Sequence, residues 1–159
     1  MIKKIKYART FILVMLTHNV ALPLLKRIRR PNVFEYNADQ LKQFARGSLG
    51  NDLYLFLENR NLPLLKHYVR HDLKHVLLGY DTTDEGEACL QNFMLGKGRI
   101  SFPVLATVIY GFITMPEYWR SMIRAFKKGR KSSSIHHWVW NNRLHENTDE
   151  LRNIVFNNK

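Results

Sequence analysis

Cysteine is almost absent from this chain of 159 residues: Cys89 stands alone. No disulfide can close within one copy, which suits a reducing compartment without requiring one. Cys89 reads as a buried small hydrophobe, not as a ligand. Acidic residues are missing from residues 1–30, and the first is Glu35. No apolar run reaches the roughly 18 residues that a membrane-spanning helix needs. Residues 11–16 form the first such run, and Thr17, His18 and Asn19 interrupt it. A secretory signal would want a longer apolar region and a small-residue cleavage site. Nowhere do apolar and polar residues alternate as in a half-buried strand. Nor is there a repeat at a solenoid period. These absences leave an all-α fold, a single compact bundle over residues 1–159 of about seven to nine helices.

What is abundant is positive charge. The formal net charge is +12 and the pI is about 10.0. Such a balance calls for an anionic partner: nucleic acid, an acidic protein or a membrane surface. Residues 1–30 are expected to hold one basic amphipathic helix, about 7–28. Its basic ends suit either packing on the core or attachment to a membrane surface. Residues 117–128 place Tyr118, Trp119, Met122, Ile123 and Phe126 among Arg120, Arg124, Lys127 and Lys128. Aromatics with a basic fringe suit an anionic membrane interface. The same pattern can bind nucleic acid, but no recognition helix, zinc-finger spacing or RNP-like string accompanies it, so membrane ranks first. Residues 100–116 carry no charge. A helix there is either the central core helix or one wall of a lipid-sized pocket.

The chemistry concentrates in residues 71–87, HDLKHVLLGYDTTDEGE. His71 and His75 are four apart and project from one face of a helix. Asp72 falls within about a quadrant of them, at about 100° per residue. Gly79 ends that helix. Thr82 and Glu85 have capping-box spacing, so a second helix should start there and carry Glu87 in its opening turns. A tight hairpin would return Glu87 toward the histidines. Two imidazoles and one or two carboxylates match the ligand set of zinc, or of non-haem iron or manganese. The pattern is not HExxH: Asp72 replaces the glutamate and is less able to reach a metal-bound water. His67 lies about 12 Å from His75 and cannot join both other histidines on one ion. His136 and His137 are adjacent and diverge on a helix.

HDLKH with Glu87 after eleven further residues resembles the HDxxH-x11-E signature of the coenzyme Q biosynthesis protein four family. ARGSLGNDLYLFL (45–57) is similar to that family's GSLG segment, and WNNRLHENTDELR (140–152) to its closing segment. Asn141, Asn142, Asn147 and Thr148 depart from the closing segment's usual residues. The resemblance implies a divalent metal, usually given as zinc, on His71, Asp72, His75 and Glu87, with iron or manganese as the alternatives. It implies a polyprenylated benzoate precursor as substrate. The reaction would be metal-assisted, oxidative decarboxylation at ring carbon one, by a metal-dependent decarboxylase. The competing expectation is a non-catalytic isoprenoid-lipid-binding or scaffold protein organising other quinone-biosynthesis proteins, with a second copy of the chain as a further partner. The implied location is peripheral: the cytoplasmic face of a bacterial inner membrane, or the matrix side of the mitochondrial one.

Other expectations are local. Asn37 with Gln40 starts a helix over 38–45. Gly47 and Gly50 mark a turn, an ordinary helix connection and not an anion site, since Asp52 opposes one. Pro63 suits the first turn of the helix carrying His71. Asn147 caps a last helix ending near Phe156.

Overall fold

The computed structural model describes residues 34–157. The basic helix expected over 7–28 lies outside them. Among the described residues there are eight α-helices, one 3-10 turn and no strand. They are α1 (Ala38–Lys42), α2 (Leu49–Glu58), α3 (Val69–Leu78), α4 (Asp84–Gly96), α5 (Phe102–Thr114), α6 (Trp119–Lys131), α7 (Trp140–Arg143) and α8 (Thr148–Phe156), with the 3-10 turn at Pro116–Tyr118.

Side-chain caps set four of the eight helix starts. Asn37 and Gln40 cap each other reciprocally at 2.8 Å, as expected. Asn147 accepts from the Asp149 and Glu150 amides. Ser48 accepts from the Asn51 amide and opens α2. Two expected starts move. Pro63 lies in an irregular stretch, and α3 begins at Val69. Leu64 is drawn against the core from that stretch, while Leu62 and Leu65 face out. Before α4 the cap is Thr83, not Thr82. The Asp81 carboxylate holds the Thr83 amide and hydroxyl, and the Thr83 hydroxyl accepts from the Gly86 amide.

Helix α4 is the spine of the core. Leu90 and Phe93 are wholly buried, and Met94 nearly so. Both α5 and α6 pack on it. Gly96 of α4 faces the Phe126 carbonyl, and Gly129 of α6 faces the Phe93 carbonyl. The two backbones approach at positions where neither has a side chain. Helix α5 was expected at the centre or on a pocket wall. It does neither. Val104, Val108 and Gly111 are buried along it, Tyr110 and Phe112 pack partly buried against the core, and Phe102, Leu105, Ile109 and Ile113 are exposed.

The segment before α2 meets the segment before α8. Ser48 and Asn147 form an isolated antiparallel bridge. The Leu49 amide donates to Glu146, and the Thr148 amide to Gly47, at 2.9 Å each. Gly47 has φ +78°, the conformation glycine permits. Helix α8 then returns to α3, where Arg152 donates to the carbonyls of Val76 (2.9 Å) and Leu77 (3.2 Å). A cation thus closes the carbonyl end of the helix that carries both histidines. Arg152→Ala should cost about 2 kcal/mol of stability, from two charge-assisted bonds at a half-buried site. Urea denaturation checks it; Arg152→Lys should recover only part, lacking the fork that spans both carbonyls.

Candidate metal centre

His71 and His75 project from one face of α3, and Glu87 comes back from the first turns of α4. The short connection is set by Gly79, left-handed at φ +73°, and by the Asp81–Thr83 cap. The result is a tight triangle. The two Nε2 atoms are 3.0 Å apart. Glu87 Oε2 is 3.1 Å from His71 Nε2 and 3.0 Å from His75 Nε2. Among the described residues, these three form the group of His, Cys, Asp and Glu whose donor atoms all lie within 4.8 Å of one another.

The surroundings orient the donors. His75 is buried at 2% exposure. Its Nδ1 lies 3.1 Å from the Tyr80 carbonyl, an acceptor only. Nδ1 therefore carries a proton, and Nε2 is the ring atom that faces Glu87 and His71. Two imidazole nitrogens and a carboxylate oxygen 3.0–3.1 Å apart are a donor set that suits one shared cation. Donors this close can reach one ion at bond lengths of about 2.1 Å. The Tyr80 carbonyl orients the His75 ring and would be the outer partner of a metal-bound imidazole. Gln91 does the same for Glu87, donating to its other oxygen at 2.8 Å. Phe56 stacks on the His75 ring, centroids 5.9 Å apart. Arg60 lies over Phe56 in turn, at 4.1 Å. A cleft of about 320 Å³ borders His75, lined by Phe56, Arg60, Val76, Tyr80 and Arg152 among others.

Protonation follows the geometry. Burial opposes ionisation of Glu87, but the His71 charge and the hydrogen bonds of both imidazoles hold its carboxyl well below the usual range. Asp72 sits within reach of the same charges. Burial pushes its carboxyl up to about 6, against the pull of His71 and His75. Its oxygens are not in the triangle, so the structure gathers three of the four expected residues and leaves Asp72 at the margin. His67, His136 and His137 are exposed and outside the cluster. Cys89 is buried, and that burial, with the charges of Glu85 and Asp81, pushes its thiol up to about 11. A thiol so held is no soft ligand at neutral pH. Tyr80, Gln91 and Arg152 escaped sequence reasoning. Gln91 had a signal, its four-residue step from Glu87; the Tyr80 carbonyl and Arg152 had none.

A histidine pair on one helix and a glutamate from the next define a candidate two-helix metal site in an all-α bundle. The chain belongs to the coenzyme Q (ubiquinone) biosynthesis protein Coq4 family, whose model matches residues 64–156 and so spans the whole triangle. That membership assigns it to ubiquinone biosynthesis. Its fold is similar to the crystal structure of a candidate ubiquinone biosynthesis protein from Nostoc punctiforme, with TM-score 0.67. The alignment covers 89% of this chain and 81% of that one at 21% identity, a likeness of fold. No protein of curated function matches the chain.

Proposed function

We propose that this chain is a metal-dependent decarboxylase of ubiquinone biosynthesis, acting on a polyprenylated benzoate ring precursor at ring carbon one. One observation supports it most. Three donors from two helices converge where a closed structural site would want four. His71, His75 and Glu87 would hold a divalent ion, with zinc favoured by the family and iron or manganese by an open histidine–carboxylate set. When bound, the ion supplies Lewis-acid polarisation of a carboxylate or phenolic oxygen. The chain's own groups do the rest. The Tyr80 carbonyl holds His75 in one tautomer, and Gln91 turns Glu87 so that one oxygen faces the imidazoles. Asp72, next to His71 in sequence and with its carboxyl pushed up to about 6 by burial, would be the candidate proton donor to the substrate. Simple decarboxylation replaces the carboxylate by a proton and needs no oxidant. The oxidative form puts a hydroxyl on the same carbon and needs dioxygen or another two-electron oxidant.

The alternative is a non-catalytic isoprenoid-lipid-binding or scaffold protein with the ion as a clasp. It draws on a different observation: α3 and α4 share little packing beyond the triangle. Chelation separates the two. Turnover of a polyprenyl-hydroxybenzoate to carbon dioxide should vanish on chelation and return with zinc, iron or manganese, while the melting temperature shifts by only a few degrees. A chain that releases no carbon dioxide with any of these metals, and melts far lower without them, would be a clasped scaffold.

A further inference from the structure

Helix α5 carries an apolar face that nothing in the described chain covers. Phe102, Leu105, Ala106, Ile109 and Ile113 are exposed at helical spacing along one side. Phe102 and Ile113 are exposed above 70%, and Ile109 at 57%. The stripe runs about 16 Å at helical rise. Ile100, just before it, is exposed as well. Cations flank both ends. Helix α6 follows through the Pro116–Tyr118 turn and exposes Arg120, Arg124, Lys127 and Lys131 along one side. Trp119 bridges the two helices, its indole donating to the Phe112 carbonyl. At the other end Arg99 precedes the stripe, and the charges of Arg99, Lys74, His137 and Lys97 converge on His136. Glu117 in the connecting turn is the acidic member of this surface.

We infer that α5 lies in the plane of an anionic lipid bilayer, its stripe among the acyl chains and the α6 cations on the headgroup phosphates. The charge pattern chooses this occupant. A second copy would bring another chain of net charge +12 and another row of arginines against the first. An acidic protein would match the cations but not a stripe without one charged residue. A bilayer supplies both layers at the right depth. The sequence alone placed membrane contact on residues 1–30 and 117–128; the exposure of α5 moves the inserted element to a helix first read as core or pocket wall. This inference is independent of the metal chemistry, and His71→Ala should leave it untouched.

The test is sedimentation of the full chain with phosphatidylcholine vesicles, with and without phosphatidylglycerol. Partitioning should rise with the anionic lipid. Ile109→Glu with Ile113→Glu should lower it at least about tenfold, since two charged groups would have to enter the acyl boundary. Arg120→Glu with Arg124→Glu should remove the dependence on phosphatidylglycerol. Circular dichroism and unaltered metal content confirm the fold of each variant. A double isoleucine variant that partitions like the parent overturns the inference. So does a parent dimer, seen by light scattering without lipid, that the same variant converts to monomer, since the stripe would then join two copies.

Discussion

His71→Ala should abolish divalent-metal binding and leave the helices folded. The His71 side chain is about one-third exposed (32%), so its removal opens no sealed cavity. The stability cost should stay near 1 kcal/mol. The donor lost is one of three, and two donors rarely retain an ion against water. Loss of an outer partner of a ligand typically costs 10–100-fold in affinity. Loss of the ligand itself should exceed about a hundredfold, and turnover should fall at least as far. Gln91→Ala supplies the graded control: it frees Glu87 to rotate but leaves every donor, so affinity should fall only about tenfold. His75→Ala is the poorer probe. It empties a buried position under Phe56 and confounds metal loss with about 2 kcal/mol or more of packing. The pH dependence has a definite sign. Protons compete with the ion for both imidazoles, so acidification should release metal from the parent. The measurement is metal content after dialysis, beside urea melts of the same samples. Metal retained in the His71→Ala chain at the parent level would remove the triangle from the chemistry.

Much of this site was legible because its signals are local. The four-residue step of His71 and His75, the break at Gly79 and the return of Glu87 are all fixed within 17 residues. Short-range backbone rules decide them. Asp72 shows the limit: its place beside His71 was readable, but its distance from the triangle depends on rotamers and on the crossing of α3 with α4. Residues supplied from afar were not readable. Arg152 reaches Val76 across 76 positions, and nothing in either stretch announces it. Thr82 and Thr83 are equivalent caps by composition, and the Asp81 side chain chooses between them. Helix α5 misled for a different reason. An uncharged run reads as core wherever water is assumed to be the only outside. Its exposure depends on where α4 and α6 meet, which periodicity within α5 cannot report.

That meeting point yields the other large effect. Gly129→Ala should unfold much of the bundle, although alanine favours a helix over glycine by about 1 kcal/mol. Gly129 has ordinary helical geometry in α6, so no conformational strain opposes the change. The opposing effect is contact. A methyl group there would overlap the Phe93 carbonyl, and one on Gly96 would overlap the Phe126 carbonyl. Both obstacles are backbone inside helices and cannot rotate aside. The helices must separate, and the separation would loosen Phe93, Met94, Met122 and Ala125, all nearly or wholly buried. Overpacking of this kind costs about 3 kcal/mol or more, which exceeds the propensity gain and takes a large part of a domain's 5–15 kcal/mol. Gly96→Ala should cost a similar amount. The double variant should cost less than the sum, because one separation relieves both overlaps. Gly98→Ala separates contact from conformation. Gly98 has φ +87° and open space around its Cα, so only backbone strain of about 1 kcal/mol opposes it. Urea denaturation of the four chains reads the difference. Should Gly129→Ala prove as stable as the parent, α4 and α6 are not in backbone contact, and the spine of the fold is packed otherwise.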